Sequence, residues 1–154
     1  MRNLWLILVF LLLANCRPVR QAAPSGFSPN DFQNLLDKMA RGLNTNNAAI
    51  TAECFTDDAK YSSPPEPLVR KGRAALFEFF GGGKGRQQPT SLLWHRVVFD
   101  PAAQIGMAEF TLTYQGRTHG VAVVRIAGGK IANWREYAVQ SRLGWEEMVG
   151  ENNF

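Results

Sequence analysis

The stretch KIANWREYAVQ, residues 130–140, sets Arg135 and Glu136 side by side in what otherwise reads as a buried strand. A carboxylate among Trp, Val and Phe side chains loses hydration, which raises its proton affinity toward the range where general base catalysis works near neutral pH. Glu136 is the candidate for that work, and His119, beside a glycine in THGVAVVRIA, is a candidate general acid. Arg135 cannot share the same cavity, because successive strand residues point to opposite faces.

Which groups meet depends on the strands that carry them. Alternating apolar and β-branched residues mark four strands, SLLWHRVVF, IGMAEFTLTY, THGVAVVRIA and KIANWREYAV, the last three joined by the hairpin signals Gln115-Gly116 and Gly128-Gly129. With two-residue tips, Val121 pairs with Phe110, Ala122 with Glu109 and His119 with Leu112. Trp134 then pairs with Val123, Arg135 with Ala122 and Glu136 with Val121. Directly opposed residues share a face. One face is therefore expected to carry Phe110, Leu112, His119, Val121, Val123, Trp134 and Glu136, an apolar wall with one imidazole and one carboxylate. The other carries Glu109, Ala122 and Arg135, where the two charges are expected to meet above the small alanine. A one-residue slip in either hairpin would exchange these faces. The alternative for Glu136 is structural, a pairing with His119 or another cation that closes the sheet. His95, next to Trp94, is left unassigned.

Other chemistries find little support. Only Cys16 and Cys54 are present, so no disulfide framework forms, and Cys54 in AITAECF reads as a buried thiol on a helix. No His, Cys, Asp or Glu cluster has metal-ligand spacing, no serine nucleophile motif occurs, and no cofactor is expected. The run GGGKG lacks the GxxxxGK[ST] spacing and follows a helix, which argues against a phosphate loop. The formal charge is +4, but the basic residues are scattered apart from RKGR at 70–73 and the pair Lys84 and Arg86, and no aromatic side chains interleave with them. They read as a solvated face, and nucleic acid is not an expected partner.

The chain opens with MRNLWLILVFLLLANC, one Arg followed by an apolar run from Leu4 to Ala14, too short to span a bilayer and patterned as an export signal. Residues 1–15 are read as that signal, with Cys16 as a lipidation site in a lipobox-like context in which Asn15 departs from the usual small residue. Ordinary cleavage further on and an uncleaved anchor remain open. Export to a periplasm, or membrane anchoring as a lipoprotein, is the expected location, with membrane contact only through leader or lipid. Residues 16–29, with three prolines from 17 to 29, form a linker, and 30–154 one domain. Ser28, Pro29 and Asp31 form a helix start, with Phe32, Leu35, Leu36 and Met39 at helical spacing to about Leu43. A short helix follows near 47–55, and RAALFEFFGGGKG reads as a third helix stopped by glycine. DDAKYSSPPEPLVRKG, broken by prolines, reads as a short edge strand and a loop rather than a central strand. Helices first and a strand meander after them is an α+β plan, helices packed on one face of an antiparallel sheet. The tail SRLGWEEMVGENNF, with Leu143, Trp145, Met148 and Phe154, is expected to pack across the sheet edge or a cavity mouth.

This order of elements, with DDAKYSSPPEPLVRKGRAAL before the sheet and HGVAVVRIAGGKIANWREY at its end, resembles the nuclear transport factor two-like superfamily over residues 30–140, within it the SnoaL-like branch and the limonene epoxide hydrolase relatives. The resemblance implies a strongly curved, cone-shaped α+β barrel of cystatin-like type. It makes Tyr61 the counterpart of a tyrosine that positions the attacking water in the epoxide hydrolases, and puts Glu136 where their W-R-D-Y segment has its catalytic aspartate. Phe110 and Leu112 replace their Arg-x-Asp pair and Ser63 their water-holding Asn, so epoxide hydrolysis is not expected. The implied catalytic set is Glu136, His119 and Tyr61 and the ligand-binding set Phe110, Leu112, Val121 and Trp134. Their chemistry would be cofactor-independent proton transfer, of isomerase, cyclase or lyase type, on a small hydrophobic molecule such as a polyketide or steroid-like ring. The alternative is a non-catalytic ligand-binding or interaction module tethered to the membrane. The resemblance also implies a homodimer through the convex sheet face.

Overall fold

The computed structural model describes residues 26–152; the leader, Cys16 and Phe154 lie outside the described residues. Helix α1, Pro29–Asn44, begins with a reciprocal cap: Asp31 N–H donates to the Ser28 hydroxyl at 3.2 Å, and Ser28 N–H donates to the Asp31 carboxylate at 2.8 Å. The Ser28 N–H foremost, and then the Ser28 hydroxyl donating to the same carboxylate at 2.7 Å, hold the Asp31 carboxyl below its ordinary value. The helix buries the stripe Phe32, Leu36, Met39, Ala40 and Leu43. Helix α2, Ala48–Glu53, starts where the Asn47 side chain accepts from the Ile50 N–H at 3.2 Å.

Six strands and two further helices follow: β1 Phe55–Ser62, β2 Val69–Lys71, α3 Arg73–Phe79, β3 Ser91–Asp100, β4 Ile105–Thr113, β5 Arg117–Ala127, β6 Lys130–Gln140 and α4 Trp145–Val149. The sheet order is β2-β1-β6-β5-β4-β3, and its two edges, β2 and β3, do not meet, so the curved sheet is not closed. Neighbours are antiparallel except β1 and β6, which run parallel, and the sheet is therefore mixed. This corrects the expected edge assignment of DDAKYSS. β1 is paired on both sides, because its last paired residue, Ser62, precedes the first proline of PPEP, and the edge falls to the three-residue β2.

Two side chains fix β3 against α1. Asn44 donates to the Leu92 carbonyl at 3.1 Å and accepts from the Leu92 N–H at 2.6 Å, replacing a neighbouring strand's bonds at the sheet edge. The Trp94 indole donates to the Leu36 carbonyl at 3.1 Å. Between helices and sheet the core is closed by Ala108, Ala122, Val124, Ile126, Ile131 and Trp134, all at or below 3 % exposure.

Both hairpins differ by one residue from the two-residue count. The β4–β5 loop has three residues, Tyr114-Gln115-Gly116, with Thr113 opposite Arg117; Gln115 and Gly116 take positive φ. Between β5 and β6 the register shifts at Arg125/Ile126, where Ala132 is the extra residue of a bulge. Phe110 thus faces Gly120, Glu109 faces Val121, Trp134 faces Val124, and Glu136 faces Ala122. The two slips of one residue add to a shift of two between β4 and β6, so that Phe110 lies across from Ala138 in place of Glu136; an even shift keeps both strands' faces, and only β5 turns over. Phe110, Leu112, Trp134 and Glu136 stay on the inner face, while His119, Val121 and Val123 pass to the outer one. Ala122 moves inward, so the expected row of Glu109, Ala122 and Arg135 does not form. Glu109 and Arg135 are not ion-paired with each other; salt bridges among the described residues include Lys38 with Glu53 and Arg73 with Asp57.

Cys54, at the end of α2, is 1 % exposed, and burial pushes its thiol up from 9.0 to about 11. The folded state therefore holds this proton more tightly than the unfolded chain does. Its contribution to stability is flat below pH about 9 and is lost as pH rises toward about 11, by up to roughly 2–3 kcal/mol at about 1.4 kcal/mol per unit. Urea unfolding of the wild type between pH 8 and 11 should show this decline, and Cys54→Ala should flatten it. Equal slopes in the two proteins would contradict the assignment.

Candidate active site

The inner face of the sheet, α1 and the connection between α3 and β3 enclose a cavity of about 550 Å³. Seven of its sixteen lining residues are aromatic. Tyr61 on β1 stacks on Trp134 of β6 at 6.0 Å between centroids, Trp94 of β3 lies edge-on to Phe110 of β4 at 6.2 Å, and Phe79 and Phe80 from the end of α3 pack on Tyr61. Trp94, opposite Phe110, faces the interior in alternation with Leu92, and a bulge between Trp94 and Val97 then sets two residues of β3 against one of β4. Among the described residues no group of three or more His, Cys, Asp or Glu is placed to hold a metal ion.

Glu136 is the carboxylate of this cavity. It is half-buried, and the Trp134 indole N–H donates to its Oε2 at 2.8 Å, so the neighbour two residues away on the same face fixes its orientation. Tyr61 stands next to it. Burial first, and then the charge and hydrogen bonding of Glu136, push the Tyr61 phenol well above its ordinary value, so it keeps its proton as a donor. Of the residues singled out by sequence, Glu136, Tyr61, Phe110, Leu112 and Trp134 meet around this space. His119 and Val121 do not.

His119 is buried on the outer face under the tail. Its Nδ1 lies 2.8 Å from the Thr111 hydroxyl and its Nε2 3.0 Å from the Leu143 carbonyl; the same hydroxyl lies 2.6 Å from His95 Nε2. Trp145 of α4 stacks on the His95 ring at 4.0 Å and meets His119 edge-on at 5.8 Å. Burial, and then His119, lower the His95 pKa against the opposing pull of Glu146 and Glu109. This settles the orientation of His95 and locates the tail: Leu143 and Trp145 close over the outer face.

Arg86 is a cavity residue that the sequence reading missed. Taken there as part of a solvated face, it lines the cavity with Phe79 and Tyr114, its guanidinium 4.6 Å from the Tyr114 ring centroid. Burial lowers its pKa, while Tyr114, Tyr61 and Glu136 act in the other direction. The usable signal was its place directly after GGGKG, a run able to turn the chain back toward the sheet.

With this geometry in view, the comparisons with known proteins fall into place. Residues 36–134 match the family described as the SnoaL-like domain. Among curated proteins none matches the sequence. Solved structures agree in fold. An NTF-2 like protein of unknown function from Burkholderia xenovorans LB400 superposes with a TM-score of 0.64 at 17% identity, over 80% of this chain and 95% of that one. A cystatin-like protein of unknown function from Methylobium petroleophilum PM1 gives 0.61 at 17% identity, over 77% and 82%. An LEH-like epoxide hydrolase from M. tuberculosis gives 0.56 at 18% identity, over 71% and 84%. At these identities the likeness is one of fold.

Proposed function

This chain belongs to the SnoaL-like domain family, and from that premise we propose that it binds a small hydrophobic ring compound in its inner cavity and moves a proton on it with Glu136 as the base. The observation that carries the reading is one oriented carboxylate in an aromatic cavity of about 550 Å³. A scaffold without a ligand would fill such a space with its own side chains, and the volume lies within the range of small-molecule sites, roughly 300–1,000 Å³.

The chemistry follows from the two polar groups that meet there. A carbon next to a carbonyl gives its proton to Glu136, the C–H electron pair moves toward the carbonyl oxygen, and the Tyr61 hydroxyl donates to the oxygen as charge develops. Return of the proton to the same or another carbon completes an exchange or an isomerisation. His119 has no part in this, being on the outer face.

The test uses 2-tetralone in D₂O, with loss of the proton signal next to its carbonyl followed by NMR. The wild type should accelerate exchange, and Glu136→Gln should lower the rate by about 10²–10⁴-fold. The melting temperature should hardly move, because the amide oxygen of Gln still accepts from the Trp134 indole. A marked loss of stability with unchanged exchange would overturn the role of Glu136. Thermal stabilisation by ring ketones without exchange would instead leave a non-catalytic binding module.

A further inference from the structure

We propose that the ligand of this cavity carries a carboxylate and that Arg86 receives it, an inference resting on the reading of the cavity as a site for ring compounds. The loop GGGKGR, residues 81–86, carries Arg86. Gly81, Gly82 and Gly85 have φ of 121°, 57° and 72°, conformations that L side chains rarely adopt. They fold the chain back so that Asn46 clamps the backbone of Arg86: its Oδ1 accepts from the Arg86 N–H at 2.7 Å and its Nδ2 donates to the Arg86 carbonyl at 3.0 Å. A Cβ on Gly85 would stand 2.7 Å from that same Nδ2. The loop is thus built around a fixed position for Arg86.

What it fixes is a half-buried cation without a carboxylate partner among the described residues. Its one side-chain hydrogen bond there is a long one, 3.5 Å to the Thr90 hydroxyl, and its other neighbours are the rings of Tyr114 and Phe79. A guanidinium seated among rings keeps in-plane N–H donors for a forked acceptor, and a carboxylate fits that fork with two parallel bonds. Glu136 lines the same cavity without being ion-paired to Arg86. The space is therefore apolar in the middle, with a cation from the loop and a base from the sheet. A ring compound bearing a carboxylate would be anchored at Arg86 while another part of it lies against Glu136.

Calorimetric titration with 2-naphthoate and its neutral isostere 2-naphthamide tests this. The wild type should bind the carboxylate at least about tenfold more tightly than the amide, the factor that one charge-assisted hydrogen bond supplies. Arg86→Gln should abolish that preference, weakening carboxylate binding by more than it weakens amide binding. Arg86→Lys, which keeps the charge and loses the fork, should retain only part of the preference, and it carries the test should the Gln variant unfold. Amide binding equal to carboxylate binding in the wild type would overturn the anionic ligand and leave the cavity reading standing. A preference that survives in both variants would overturn the role of Arg86. Failure of the wild type to bind either probe would overturn both readings together.

Discussion

Phe32→Ala is expected to lower the unfolding free energy by about 3–5 kcal/mol, read by urea denaturation. The ring is fully buried in the first turn of α1 and stacks on Phe99 at 4.8 Å. Its far edge lies on bare backbone: a Cβ built on Gly106 would stand 2.4 Å from Phe32 Cε1 and Cζ. That side of the void left by truncation therefore has no side chain to fall into it, and the cavity term stays close to its full size. Of a typical total of about 5–15 kcal/mol, this is roughly a fifth or more. The loss also reaches β3, since α1 holds that edge strand through Asn44 and the Leu36 carbonyl. A decrease below about 1.5 kcal/mol would show that the helix repacks and that the stack on Phe99 is dispensable.

Gly120→Val is the second large effect, by overfilling rather than emptying. A Cβ at this position would stand 2.5 Å from the Tyr137 carbonyl oxygen, 2.8 Å from Phe110 Cζ and 2.9 Å from Ala138 Cβ. The first is backbone of the adjoining strand and the last is rooted directly on it, so relief requires β5 and β6 to part or Phe110 to move into the ligand space. A loss of about 2–4 kcal/mol is expected, seen as a fall of roughly 10 °C in Tm, together with weaker binding of 2-naphthamide. Gly83→Ala serves as the contrast. Nothing lies within 4 Å of its Cβ and its φ is not positive, so a shift within about 0.5 kcal/mol is expected. Equal effects of the two substitutions would contradict the close approach at Gly120.

Much of the fold could be read from local chemistry because local chemistry decides it. The cap at Ser28 and Asp31, the stripe from Phe32 to Leu43, the glycine after α3 and the four alternating strands involve neighbours in sequence. The pairing of β1 beside β6 does not, since a parallel partner more than seventy residues away leaves no mark in either segment. The face of β5 was lost for another reason. It depends on one residue in the Tyr114-Gln115-Gly116 loop and one in the bulge at Ala132, and period-two alternation in β5 reads equally well from either side. Glu136, Phe110, Leu112 and Trp134 were placed on the inner face because those two shifts sum to an even number between β4 and β6, which moves the register by two residues and leaves the faces unchanged. Arg86 was marked only by its place after GGGKG, since the clamp that directs it joins Asn46 to a segment forty residues away and charge alone argues for solvent.

The contacts under the tail fix something that distances between heavy atoms do not state, the sense in which hydrogens point along the row. The Leu143 carbonyl can only accept, so the neutral form of His119 that fits this row carries its hydrogen on Nε2 and offers a lone pair at Nδ1. The Thr111 hydroxyl has one hydrogen, which goes to that lone pair, and its oxygen then accepts from His95 Nε2–H. A single carbonyl at the start of the tail thereby selects the tautomer of two imidazoles, the further one two strands away. The row has a polarity, set at its terminus. A change that displaced the backbone at Leu143 would be felt at His95, with no atom between them having been replaced.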